Sequence, residues 1–190
     1  MVVLNDGLWY LAYGSNMLAS RLRAYLEGSN SGPYGSHGGA RDRAGPARDR
    51  PVRLNHGVYF AGQSVRWNGP VAFLQLVPGK SPSFGRAYLL RWSQAIAIIS
   101  QENGDKAALS LRELPLVGEY IELPTKGKYN AVLRLDDYFG VPTIALTTSR
   151  NLPRGTPTMD YVATMRQGLL ELKTMSEEEI GQYINRLTDT

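Results

Sequence analysis

Short apolar or alternating runs, each closed by glycine, proline or asparagine, recur through most of this chain, and helical periodicity is confined to a few stretches. That pattern constrains the fold more than any other feature. Many short strands with few helices between them argue against repeated strand–helix–strand units and for an antiparallel-rich sheet. The runs read as strands are Leu8 to Tyr13, Val52 to Ala61, Val71 to Val77, Gly85 to Trp92, Val117 to Leu123, Asn130 to Leu135 and Pro142 to Thr148. Turn residues such as Asn68-Gly69-Pro70 and Pro78-Gly79 separate them. Apolar positions at Met17, Leu18, Leu22, Tyr25 and Leu26 have helical spacing, with Asn16 placed as an N-cap. Ser93 caps a second predicted helix, Gln94 to Asn103, which Gly104 ends. Two more helices close the chain, Thr158 to Leu172 and Glu177 to Leu187, the latter opened by a capping box of Ser176 and Glu179. The expected fold is α+β: a small antiparallel-rich, mixed β-barrel, closed or nearly so, with helices packed around it. At 190 residues one domain is expected over the whole chain.

The segment from Gly28 to Pro51 differs in kind. It is rich in glycine, proline, serine and arginine and has almost no large apolar side chains. It cannot bury enough surface to offset its ordering entropy, so it reads as a flexible loop. A tolerated insertion is favoured over a functional lid.

Composition removes whole classes of chemistry. With no cysteine, disulfides, thiolate catalysis and thiolate metal sites are excluded. The two histidines, His37 and His56, are too few for a histidine-rich metal centre. His37 is expected in solvent and His56 on a strand. The net charge of +4 is mild, and Asp42 and Asp49 interrupt the one arginine cluster, so nucleic acid is not an expected partner. Met1 to Gly7 shows no signal-peptide pattern and no apolar run reaches membrane-spanning length, so a cytoplasmic location without membrane contact is expected.

Three places carry candidate chemistry. Tyr10-Leu11-Ala12-Tyr13-Gly14-Ser15-Asn16-Met17 joins a strand to a helix through glycine, which lets backbone approach a ligand. The first amides of the following helix lack internal partners and attract a carboxylate or an oxyanion. The plain alternative is a capped turn. Glu102 ends a helix that is strongly apolar at Ile96, Ile98 and Ile99. The negative end of the helix dipole and partial burial both disfavour its charged form and tune it toward acid–base work; the alternative is a solvated glutamate at a frayed end. Tyr161 opens an amphipathic helix and either reaches a pocket or packs in the core.

Tyr13-Gly14-Ser15-Asn16-Met17 resembles the Tyr-Gly-Ser-Asn-Leu signature of the γ-glutamyl cyclotransferase family, which includes AIG2-like proteins. Further matches follow in order: Trp67-Asn68-Gly69-Pro70-Val71-Ala72, Gly85-Arg86-Ala87-Tyr88, Ser100-Gln101-Glu102-Asn103, and Pro157 to Gly168. The resemblance places the family's catalytic glutamate at Glu102 and its substrate-contacting tyrosine at Tyr161. It implies that the turn from Tyr10 to Asn16 holds a small-molecule γ-glutamyl substrate, which is converted to 5-oxoproline and a free amine without cofactor. Ser100 and Asn103 depart from the acidic residue and the glycine that flank the family's glutamate, and Asp105 is the nearest rival carboxylate. A non-catalytic binding protein of the same fold is the alternative, and monomer or homodimer stays open.

Overall fold

The structure, a computed structural model, describes residues 7–31 and 35–189. Residues 1–6, 32–34 and 190 lie outside the described residues, and with them most of the N-terminal stretch read for a signal and a short part of the expected loop.

The main sheet has six strands. β1 (Gly7–Ala12) lies inside it, antiparallel to β5 (Ser83–Arg91) and parallel to β8 (Val141–Thr147). A strand with neighbours on both edges and cover on both faces reads as a continuous apolar run, as Leu8 to Tyr13 does. β2 (Arg48–Leu54) pairs with β5, while β7 (Ala131–Tyr138) pairs with β8 and β6 (Tyr120–Glu122) with β7, giving the order β2-β5-β1-β8-β7-β6. β3 (Val58–Ser64) and β4 (Gly69–Leu74) form a separate antiparallel ribbon. The Thr147 hydroxyl ties it to β8, accepting from Leu74 N at 3.0 Å and donating to Leu74 O at 2.6 Å.

The α+β class and the mixed sheet are as expected, but among the described residues no backbone ladder closes a barrel. β2 and β6 stay as edges, and the ribbon meets the main sheet through a side chain. The run from Val52 to Ala61 is two strands, because its halves belong to different sheets. His56 sits in the turn between them rather than on a strand, with Nδ1 2.8 Å from the Gln75 carbonyl. Only Tyr120 to Glu122 of the run from Val117 to Leu123 is strand.

Four helices pack on this framework: α1 (Ala19–Glu27), α2 (Trp92–Asn103), α3 (Met159–Leu172) and α4 (Glu177–Thr188). Ile98 and Ile99 of α2 are fully buried, each worth about 1.5–3 kcal/mol of apolar burial. α2 begins one residue before the expected Ser93 cap; the Gln94 side chain accepts from Arg91 N at 3.0 Å. The capping box of α4 forms as read, with Ser176 Oγ accepting from Glu179 N and Glu179 Oε2 from Ser176 N.

The described parts of the Gly28–Pro51 segment are more ordered than its composition suggests. Ser29 and His37 exchange backbone hydrogen bonds of 2.9 and 2.7 Å, Ala40 N donates to Leu26 O, and Arg48 to Pro51 belong to β2. His37, expected in solvent, is buried with its ring 4.2 Å from that of Tyr25. Backbone pairing and aromatic contact supply here what aliphatic side chains do not.

Candidate functional site

β1 ends where its backbone must leave the sheet. Gly14 makes the bend, and Ser15–Met17 forms a single 3-10 turn before α1. A Cβ on Gly14 would stand 2.5 Å from the Tyr161 hydroxyl oxygen and 3.1 Å from Ala72 Cβ, so only glycine fits. α3 presses on the other side of the turn. A Cβ on Gly168 would lie 2.6 Å from Leu18 N, which explains the glycine within Arg166-Gln167-Gly168.

Long-range side chains fix this turn from below. The Tyr161 hydroxyl accepts from Ala72 N at 3.0 Å and, at 3.4 Å, from Ser15 N. Tyr88 donates to the carbonyls of Asn16 and Met17, both at 3.0 Å. Arg86 donates to Met17 O at 3.1 Å while ion-paired to Asp49 and Glu171, and Tyr13 donates to Leu146 O at 2.5 Å. Gly85-Arg86-Ala87-Tyr88 is therefore a brace for the turn.

The run from Tyr10 to Asn16, Glu102 and Tyr161 all line one cavity of about 640 Å³, within the size range of small-molecule sites. Every candidate site residue read from the sequence is thus brought to one place. Asn16 does not cap α1, whose N-cap is Leu18. Its side chain instead crosses to Glu102, with Nδ2 donating to Oε1 at 2.8 Å. The Asn16 Oδ1 is buried without a hydrogen-bond partner among the described residues. Such an orphan acceptor costs about 1–3 kcal/mol. Glu102 is half-buried at the last turn of α2, with Gly104 closing the helix in the left-handed conformation.

One of the departures flanking Glu102, and the rival carboxylate, have structural roles. Asn103 clamps Tyr129 from both sides, donating to its carbonyl at 2.9 Å and accepting from its N–H at 3.1 Å. Asp105 accepts from Ala107 N and from the Thr125 hydroxyl, which occupies both oxygens of the rival carboxylate.

Several residues that sequence reasoning missed complete the cavity. Arg21 is buried on α1, bonded through Nε to Ser15 Oγ at 2.9 Å and through Nη2 to Tyr25 OH at 3.1 Å, with its guanidinium 5.0 Å from the Trp67 ring. The available signal was its place inside the apolar stripe, four residues from both Met17 and Tyr25. Arg66, in the β3–β4 turn, donates to His37 Nε2 at 2.8 Å. An arginine cannot accept, so this His37 nitrogen is the acceptor and the ring proton sits on Nδ1. Burial, then the charge of Glu102, hold the Tyr10 and Tyr25 hydroxyls above the usual phenol range. Burial also raises Tyr161, offset in part by the two amides it accepts from. Among the described residues no group of three His, Asp or Glu side chains is placed to hold a metal ion, and no helix is long and apolar enough to cross a membrane.

No family model matches the sequence. Histone deacetylase 5 of Arabidopsis thaliana is 28% identical over 200 residues that cover 94% of this chain and 30% of that protein; the chain thus spans under a third of this relative's length. Among solved structures, a γ-glutamyl cyclotransferase superposes with a TM-score of 0.53 at 17% identity, over 95% of this chain and 99% of its own. An uncharacterised human protein gives 0.55 at 16%, over 95% and 99%. YkqA from Bacillus subtilis gives 0.55 at 15%, over 96% of this chain and 56% of its own. The chain shares the fold of these proteins.

Proposed function

We propose that the chain is a γ-glutamyl cyclotransferase, closing the γ-glutamyl group of an amide on itself to release 5-oxoproline and the free amine. One observation carries this reading: the Glu102 carboxylate is bonded to the Asn16 side chain of the Gly14–Asn16 turn, inside one cavity. A proton acceptor beside a tight, amide-rich turn suits a substrate with an ammonium at one end and a reacting carbonyl a few atoms away.

In this mechanism the α-ammonium of the substrate sits between Glu102 and the unpartnered Asn16 Oδ1. Glu102 takes a proton, and the freed nitrogen attacks the γ-carbonyl carbon of the same molecule. The new C–N bond closes a five-membered ring and places negative charge on the carbonyl oxygen. That charge collapses, breaking the original amide bond. The ring nitrogen gives up two protons between ammonium and lactam, and the departing amine gains two; Glu102 carries them in turn. No water or redox partner enters the balance. Intramolecular attack removes much of the entropic barrier once the rotamer is held.

Two arrangements support the charged stages. Arg21 places a buried positive charge beside Ser15, which suits the substrate's α-carboxylate. The Tyr161 oxygen accepts from two amides, which orients its hydroxyl in the cavity and suits it to donate its proton to the oxyanion. The Ser15 amide is itself turned to Tyr161, and this favours a second reading in which the cavity binds γ-glutamyl or amino-acid ligands without reaction.

A panel of γ-glutamyl amino acids, peptides and amines assayed for 5-oxoproline, run beside Glu102→Gln, separates the two. Loss of a general acid–base lowers kcat by about 10²- to 10⁴-fold with an unchanged melting temperature. Retention of near wild-type turnover by Glu102→Gln would move the chemistry to another residue. Calorimetric binding with no 5-oxoproline from any compound would favour the non-catalytic reading.

A further inference from the structure

The cavity has a depth order in its charges. Arg21 is buried at its inner end, bonded to the turn. Arg66 stands at the tip of the β3–β4 hairpin, exposed on one side and reaching over the mouth to His37 on the other. Its guanidinium lies along Gly35, where a Cβ would be 3.4 Å from Nη2. Among the described residues Arg66 makes no ion pair; its hydrogen-bond partner is a neutral imidazole nitrogen. No carboxylate of the described residues lies within ion-pair distance of the charge at the mouth, and the field of Glu102 offsets it only in part. Four cationic side chains line the cavity (Arg21, Arg66, Lys106, Lys128) against two carboxylates, Glu102 and Asp105. Of the two carboxylates, Asp105 is already bonded on both oxygens.

We propose that Arg66 receives a carboxylate carried by the leaving amine, and so selects γ-glutamyl amino acids and peptides over γ-glutamyl amines. This inference rests on the cyclotransferase reading for the orientation of the substrate: the γ-glutamyl head occupies the turn beside Glu102, and the group to be released points to the mouth. A γ-glutamyl amino acid has a second carboxylate at that end. A guanidinium holds a carboxylate through two parallel N–H···O bonds, a geometry an amine or an uncharged alkyl group cannot offer. Partial burial and the nearby Arg21 lower the pKa of Arg66, with Tyr25 and Glu102 opposing them, and a bound anion would offset these costs of its charge. The opposing account is that Arg66 merely latches the glycine-rich segment through His37.

The test compares γ-glutamyl-alanine with γ-glutamyl-ethylamide, which differ only in that carboxylate. Wild-type protein is expected to prefer γ-glutamyl-alanine in kcat/KM by about tenfold or more, the size of a charge-assisted hydrogen bond. Arg66→Leu is expected to lose that preference, with turnover of the ethylamide changed by less than about twofold; Arg66→Lys, which lacks the planar fork, recovers only part of it. Equal losses on both compounds in Arg66→Leu, or no preference in the wild type, overturn the inference. Calorimetric titration of both compounds into Glu102→Gln and Glu102→Gln/Arg66→Leu gives a readout independent of turnover. If no compound yields 5-oxoproline, the cyclotransferase reading fails, and the inference stands only if binding still favours the alanine derivative through Arg66. Equal or undetectable binding of the two overturns it.

Discussion

Gly14 and Arg66 face the same cavity, but the bonds that hold them differ in number and kind. On the inner wall, Tyr88, Arg86 and Tyr161 converge on the turn from other elements of the fold, Tyr13 reaches from it to β8, and all four bond to backbone. Backbone is common to every residue type, so such bonds fix position regardless of the side chains around them. On the outer wall, Arg66 meets His37 through a side-chain bond, and His37 pairs with Ser29 through backbone and sets its ring against Tyr25. A wall specified several times over holds reacting atoms in place. A wall whose exposed arginine is held through a side-chain bond is freer to differ in what it admits. On the proposed function, positioning and selection would be built by different physics.

The sharpest test of this contrast is alkaline pH. Tyr10, Tyr13, Tyr25, Tyr88 and Tyr161 are buried, and burial is the largest cause raising each phenol. A folded-state pKa above the unfolded value contributes stability that is fully present below the unfolded pKa, about 10 for tyrosine, and is lost as pH rises beyond it. The melting temperature should stay level to about pH 9 and then fall steeply. Tyrosinate absorbance from the inner wall should appear only together with loss of far-ultraviolet circular dichroism. Titration of all eleven tyrosines at ordinary phenol pH in folded protein would show that water reaches the inner wall.

A smaller effect is expected from Tyr161→Phe. It removes the acceptor shared by Ser15 N and Ala72 N without opening a cavity, and leaving buried amides unpaired costs about 1–3 kcal/mol. If the hydroxyl also serves the oxyanion, kcat falls by about 10²-fold beyond any change in KM. A fall in melting temperature with kcat unchanged would reduce Tyr161 to a brace.

What the sequence shows of this arrangement depends on how local each signal is. β1, the helical stretches and the Ser176–Glu179 box were legible because period and capping are written within a few residues. The turn at Gly14 was legible as a strand–helix junction, although a ligand-binding turn and a plain capped one read the same at that point. The partner of Asn16 was not legible. A side chain that can cap the next helix looks the same in sequence as one that reaches a carboxylate 86 residues away. The break at Asn55–Gly57 was hidden because both halves are strand and only their sheets differ. The ordering of residues 35–40 was hidden because composition measures apolar burial and is blind to backbone pairing with α1. Arg66 carries no local mark at all; its significance comes from a fold that sets the hairpin tip opposite His37.

The smallest expected effect concerns the outer wall and bears most directly on the contrast. His37→Ala removes the acceptor of Arg66 and the ring against Tyr25, but leaves the backbone bonds to Ser29 in place. A cost of about 1 kcal/mol in stability follows, ordinary for one half-supported side chain, and smaller than that of Tyr161→Phe. Turnover should keep its kcat within about twofold while KM for a carboxylate-bearing substrate shifts by a few-fold, because uniform binding is what a mouth residue supplies. The direction of that shift carries information. A lower KM means His37 competes with substrate for the Arg66 guanidinium; a higher one means His37 orients it. A collapse of kcat, or a stability loss equal to that of Tyr161→Phe, would mean that the two walls form one unit and that selection cannot be altered without disturbing the chemistry.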